Sequence, residues 1–187
     1  MSLFFLVMVS YWWFAGSIVV NYETVLKKGT VYSLCPEPVD PFDAFRGRYV
    51  DLNFWDARKI KISDSDASFK GGQTVYLEIA DDEQGCGQFT NPSLERPIHN
   101  NYLKTTIRHY NPSESELLIA LPMELERYYL NEALAEQAEK VYNQLSRSNR
   151  KEKPAVTLDV KLYKGTIAIE QLYFEGKPVG EYLRGLE

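Results

Sequence analysis

Val156-Thr157-Leu158-Asp159-Val160-Lys161-Leu162-Tyr163-Lys164-Gly165-Thr166-Ile167-Ala168-Ile169-Glu170-Gln171-Leu172-Tyr173-Phe174 decides the fold class. Val156, Leu158, Val160 and Leu162 alternate with Thr157, Asp159, Lys161 and Tyr163, the period of a strand with one buried face. Lys164-Gly165 turns the chain into a second run, and Glu175-Gly176-Lys177-Pro178 turns it again. The segment predicts a β-hairpin, and with it an antiparallel sheet.

The period of two extends upstream. Strands are expected at Thr30–Cys35, Arg48–Phe54, Thr74–Ile79, Tyr102–Tyr110 and Ser115–Leu121, with a minor one at Lys59–Ile62. Asn111-Pro112-Ser113 joins two of them as a hairpin turn. Asp81 to Asn101 reads as a long polar excursion punctuated by Gly85, Gly87, Pro92 and Pro97. One soluble helix is expected near residues 131–147, because Leu130, Leu134, Ala138, Val141 and Leu145 form one apolar stripe. Asn131 is its N-cap, and Pro154 stops the charged run that follows. The class is mainly β (α+β), an antiparallel barrel or sandwich of about seven or eight strands with one covering helix.

The chain has 187 residues, 44% of them hydrophobic and 25% charged, which is the balance of a folded globular protein. Its net charge of −5, with both signs interspersed, argues against a nucleic-acid footprint. Residues 1–20 stand apart, with no charge from Leu3 to Val20. As a helix those 18 residues span roughly 27 Å, close to a hydrocarbon core. A membrane anchor is the leading reading. A cleaved signal peptide, with small residues at Ala15-Gly16-Ser17, and a buried core segment are the alternatives. Residues 21–29 read as a linker or a continued helix ending at Gly29, and residues 30–187 as the β-rich domain. Lys27 and Lys28 bear only weakly on orientation. Cys35 and Cys86 either pair, closing a loop worth roughly 4 kcal/mol, or stand as two thiols.

Gly47-Arg48-Tyr49-Val50-Asp51-Leu52-Asn53-Phe54 resembles the signature of the bacterial GDYXXLXY family, membrane-anchored proteins of unknown function. Glu37-Pro38-Val39-Asp40-Pro41 is similar to the family's Asp-Pro segment, and Glu126-Arg127-Tyr128-Tyr129 to its Glu-Arg-Tyr-aromatic segment. The family's Asp is Arg48 here and its last Tyr is Phe54. Arg48 does not release a proton at neutral pH, so it is no general acid or base. The motif positions Asp40, Pro41, Gly47, Arg48, Tyr49, Leu52 and Phe54 therefore read as structural, setting how a strand starts and packs. The resemblance implies an anchor in the bacterial inner membrane, with the soluble domain in the periplasm or outside the cell. It also implies an integral-membrane protein partner, and the surface expected to meet it is an exposed tyrosine-rich face or Asp81 to Asn101.

No catalytic, cofactor-binding or metal-binding residue is assigned. The region from Ser33 through Glu37-Pro38 to Gly47 loosely resembles the nucleophile segment of type I signal peptidases. A Ser/Lys envelope hydrolase would need Lys104 as its base, yet Ser33 sits in an expected strand and the Ser-Met dipeptide is missing. His109 shares the parity of Leu103, Thr105 and Ile107 and reads as a core or rim residue. Cys35, Cys86, His99 and His109 match no metal spacing, and Asp64, Asp66, Asp81, Asp82 and Glu83 lie in no EF-hand loop. A small ligand inside a barrel is a further alternative and requires an apolar cavity of several hundred Å³. The preferred reading is a non-enzymatic, membrane-tethered interaction module.

Overall fold

The computed structural model describes residues 2–38, 49–62, 69–148 and 154–186. In chain order these form α1 (Ser2–Lys28), β1 (Thr30–Leu34), β2 (Tyr49–Asp51), β3 (Lys59–Lys61), β4 (Thr74–Asp81), β5 (Gly87–Ser93) and β6 (Leu103–Asn111). There follow β7 (Glu116–Ile119), β8 (Arg127–Tyr129), α2 (Glu132–Ser148), β9 (Val156–Tyr163), β10 (Thr166–Phe174), β11 (Lys177–Pro178) and α3 (Val179–Arg184). Short 3-10 turns occupy Asp56–Arg58 and Met123–Glu126. Asp40, Pro41, Gly47 and Arg48 lie outside the described residues.

The strand ladders among the described residues are antiparallel. The decisive hairpin pairs Val156 with Phe174 and Thr166 with Tyr163. β1 adds to its other side, giving the order β1-β9-β10-β11. A second sheet of order β3-β7-β6-β4-β5 curls until it is nearly a closed barrel. Its edges β3 and β5 face each other across a cleft of about 680 Å³ lined by Ile60, Phe69 and Phe89 among others. The two large sheets meet where the β9–β10 turn bridges to β6: Gly165 N–H donates to Tyr102 O at 2.9 Å, and Lys104 N–H to Gly165 O at 3.0 Å.

The inner faces fill with their own side chains. Val75, Leu77, Leu103, Ile107, Leu117, Ile119, Leu158, Val160, Leu162, Leu172 and Phe174 are all buried. α2 closes one side with Ala135, Ala138 and Tyr142, while the Leu134, Val141 and Leu145 of the expected stripe lie at the margin. Asn131 caps the helix, its Oδ1 accepting the Ala133 N–H at 3.2 Å. A disulfide joins Cys35, just after β1, to Cys86, just before β5, and so ties the two large sheets. Gly87 must be small there, since a Cβ would stand 2.8 Å from Ile79 Cγ2 and 3.1 Å from Leu34 Cδ2.

Several expectations are corrected. Asp81 to Asn101 is not an unbroken loop, because β5 pairs with β4 within it. A bulge in β6 between Ile107 and His109 resets the alternation, so His109 points to solvent and the half-buried Tyr110 packs against Phe69 instead. Lys177-Pro178 is a brief strand leading into α3, a second soluble helix that buries Val179 and Leu183. Residues 21–28 are helical, so the continued helix and not an extended linker occupies that stretch.

Candidate functional site

The arrangement begins with α1, which is long and apolar enough to cross a membrane. From Phe4 to Val20 nearly every large side chain is exposed, whereas Val25, five residues further on, is buried against the β domain. Lys161 from β9 donates to the carbonyl of Leu26 at 2.8 Å and pairs with Glu170 of β10 at 2.7 Å. Its ammonium thus sits where the helix leaves carbonyls unpaired and its dipole is negative. Tyr22 donates to Ile169 O at 3.4 Å. Gly29 then lets the chain turn tightly into β1, because a Cβ would lie 2.5 Å from Val25 O and 2.9 Å from Lys161 Cβ. The helix enters the sheet with no slack.

Beside this junction is a groove of about 310 Å³ lined by Tyr22, Glu124, Arg127, Tyr128, Tyr129, Ile169 and Glu170. Two distant segments build one wall. β2 pairs with β8 so that Tyr49 faces Tyr129, Val50 faces Tyr128 and Asp51 faces Arg127. The Tyr49 and Tyr129 rings meet edge to face with centroids 5.7 Å apart, and the Arg127 guanidinium lies 4.9 Å from the Tyr49 centroid. The Tyr128 hydroxyl accepts from Gln171 Nε2 at 3.2 Å, and burial pushes its phenol pKa up. Behind the wall Val50, Leu52 and Phe54 are buried, Val50 on the strand that packs against α2, and the Leu52 N–H donates to Glu126 O at 2.9 Å. The Tyr142 hydroxyl donates to Glu37 O, and burial is the main reason its phenol pKa is raised.

These contacts join the signature strand to the Glu-Arg-Tyr-Tyr segment in one two-stranded ribbon. The family model of the GDYXXLXY protein matches residues 11–172. The chain belongs to the GDYXXLXY family. No curated protein and no solved structure matches it. In this GDYXXLXY member Tyr49 packs on the groove residue Tyr129, while Leu52 and Phe54 belong to the core.

The other candidates fall elsewhere. Ser33 Oγ donates to Asp159 Oδ1 at 2.6 Å, Lys104 is exposed on β6, and the two share no hydrogen bond among the described residues. Cys35 and Cys86 are consumed in the disulfide and offer no thiolate to a metal. Among the described residues, no three His, Cys, Asp or Glu side chains group as metal donors. On the far end of β4, Glu78 accepts from Asn91 at 2.8 Å and bonds His99 at 2.7 Å, and these contacts hold its carboxyl below the usual range. Together with Arg96 stacked on Tyr102, they fix the segment that exposes Leu94 and Ile98. Sequence reasoning passed over Tyr22, Glu124 and Ile169. The one available signal was a tyrosine two positions beyond the apolar run.

Proposed function

We propose that this GDYXXLXY protein is a membrane-anchored docking module of the bacterial inner membrane. Its β domain stands on the periplasmic or outer side and holds an integral-membrane partner without chemistry of its own. The observation that carries this reading is the slack-free junction of α1 with the sheet at Val25, Leu26 and Lys161. A domain of this size has a radius of gyration of roughly 15 Å, so a rigid attachment confines its reach to the membrane's immediate neighbourhood. The Cys35–Cys86 disulfide supports an oxidising compartment. The partner surface is the ordered segment presenting Leu94 and Ile98, the latter fully exposed.

Affinity purification from detergent-solubilised membranes tests this reading, with the parent chain and Ile98→Glu compared side by side. We expect an integral-membrane protein to co-purify reproducibly with the parent and to be depleted with the variant. Recovery of no such protein, or equal recovery by both chains, counts against the module. Reporters fused after Glu187 test the side of the membrane, and activity of a cytoplasmic reporter alone overturns the placement.

A further inference from the structure

The groove between α1 and the β2–β8 ribbon holds a set of groups that neither the core nor the partner surface uses. We propose that it takes the headgroup of a zwitterionic phospholipid, so that the β domain rests on the lipid surface beside its own anchor. This rests on the reading of α1 as a membrane span.

Depth is the first argument. The apolar run ends at Val20, and Tyr22 lies two residues further, about 3 Å along the helix. Whatever touches Tyr22 therefore sits at headgroup level, where tyrosine is favoured because its ring tolerates hydrocarbon and its hydroxyl needs water. Tyr22 lines the groove with Tyr128, Tyr129 and Ile169 and is bonded to the Ile169 carbonyl. The clamp at Leu26 and Lys161 keeps this wall against the helix, so it does not swing away from the surface. Next to it, Met123 and Tyr129 are 73% and 68% exposed, apolar area that suits a lipid interface better than water.

Charge is the second argument. Glu170 is paired with Lys161, but Glu124 and Arg127 have no ion-pair partner among the described residues. Arg127 is already oriented by the Tyr49 ring. A guanidinium is suited to a phosphate, and a carboxylate flanked by phenol rings is suited to an ammonium. A purely anionic headgroup satisfies the first and is repelled by the second. The zwitterion satisfies both.

The full chain in nanodiscs provides the test, with single nitroxide labels at Met123→Cys, Tyr129→Cys, Ile98→Cys and Ser17→Cys. Collision with lipid-soluble oxygen is compared with collision with an aqueous nickel chelate. Ser17 reports the anchor alone: a lipid-facing signal there with a water-facing signal at Met123 and Tyr129 refutes the groove and leaves the anchor standing. In discs containing phosphatidylethanolamine we expect the oxygen preference at Met123 and Tyr129 to exceed that at Ile98 several-fold. It should fall towards the Ile98 value in discs of phosphatidylglycerol alone and in the double variant Glu124→Gln, Arg127→Gln. A preference at Met123 and Tyr129 equal to that at Ile98 in every disc overturns the surface contact. A high preference that ignores both lipid headgroup and double variant overturns the headgroup assignment.

Discussion

Replacing both Cys35 and Cys86 by serine removes the one covalent tie between the two large sheets. The bridged residues are 51 apart in sequence. For a closed loop of that size, the chain-entropy relation gives a loss of about 14 cal/mol/K in the unfolded ensemble, or about 4 kcal/mol at room temperature. For a chain of 150–250 residues each kcal/mol moves Tm by roughly 2–4 °C, so the double variant should melt about 8–16 °C lower. The loss falls on a specific seam: beyond the disulfide, Gly87 packs closely against Leu34 and Ser33, and β1 and β5 are not hydrogen-bonded neighbours in either sheet. Circular dichroism of the full chain in detergent, with and without reductant, measures the shift. Reduction of the parent should reproduce the double variant, and reductant should leave the variant unmoved. A fall of less than about 3 °C would refute the reasoning, because it would mean that the sheets stay registered without the tie.

Four further outcomes follow from the packing and the titrations. Gly87→Ala should cost about 1–3 kcal/mol, because the added methyl meets Ile79 and Leu34, and urea unfolding reads it directly. Phe54→Ala should cost about 3–5 kcal/mol by emptying its space in the core, whereas Tyr49→Phe, which keeps the ring beside Arg127, should change little. Glu78 has its pKa lowered on folding, so the clip to Asn91 and His99 adds stability above the ordinary carboxylate pKa and loses it as pH falls through the folded value. Hydrogen exchange around Asn100 and Asn101 should quicken in that acid window, and Glu78→Gln should abolish the change. Tyr142 has its pKa raised, so its contribution is full below the ordinary phenol pKa and declines as pH rises further. Alkaline absorbance titration should show one tyrosine ionising only as the chain unfolds.

The strands that the sequence made legible are those whose alternation is a property of their own residues: β9, β10, β4, β6, β7 and β1, with the shorter β2 and β3 also falling inside expected runs. α2 was legible for the same reason, with an N-cap and an apolar stripe written into a single stretch. β5 was hidden because Gln88, Thr90, Asn91 and Pro92 leave Phe89 as its one large buried side chain, and its strand character comes from pairing with β4. β8 is three residues long and exists by pairing with β2, 80 positions away where Tyr49 faces Tyr129. His109 faced the wrong way because a bulge resets parity without leaving a sequence mark. The groove was illegible for a related reason: its walls come from α1, β8 and β10, and nothing local in any of them announces the others. The family segments were visible as patterns, but their purpose as two halves of one ribbon appeared only in space.

The curled five-stranded sheet has one more consequence. Each neighbour in the order β3-β7-β6-β4-β5 reverses direction, so with an odd number of strands β3 and β5 run the same way. Joining them edge to edge would require the barrel's one parallel seam, which is less stable per residue than the ladders around it. Lys59 and Lys61 expose charge along one lip, and Pro92 withholds an amide from the other. Parity thus frustrates self-closure, and the residues at the lips discourage a neighbouring chain from completing the circle.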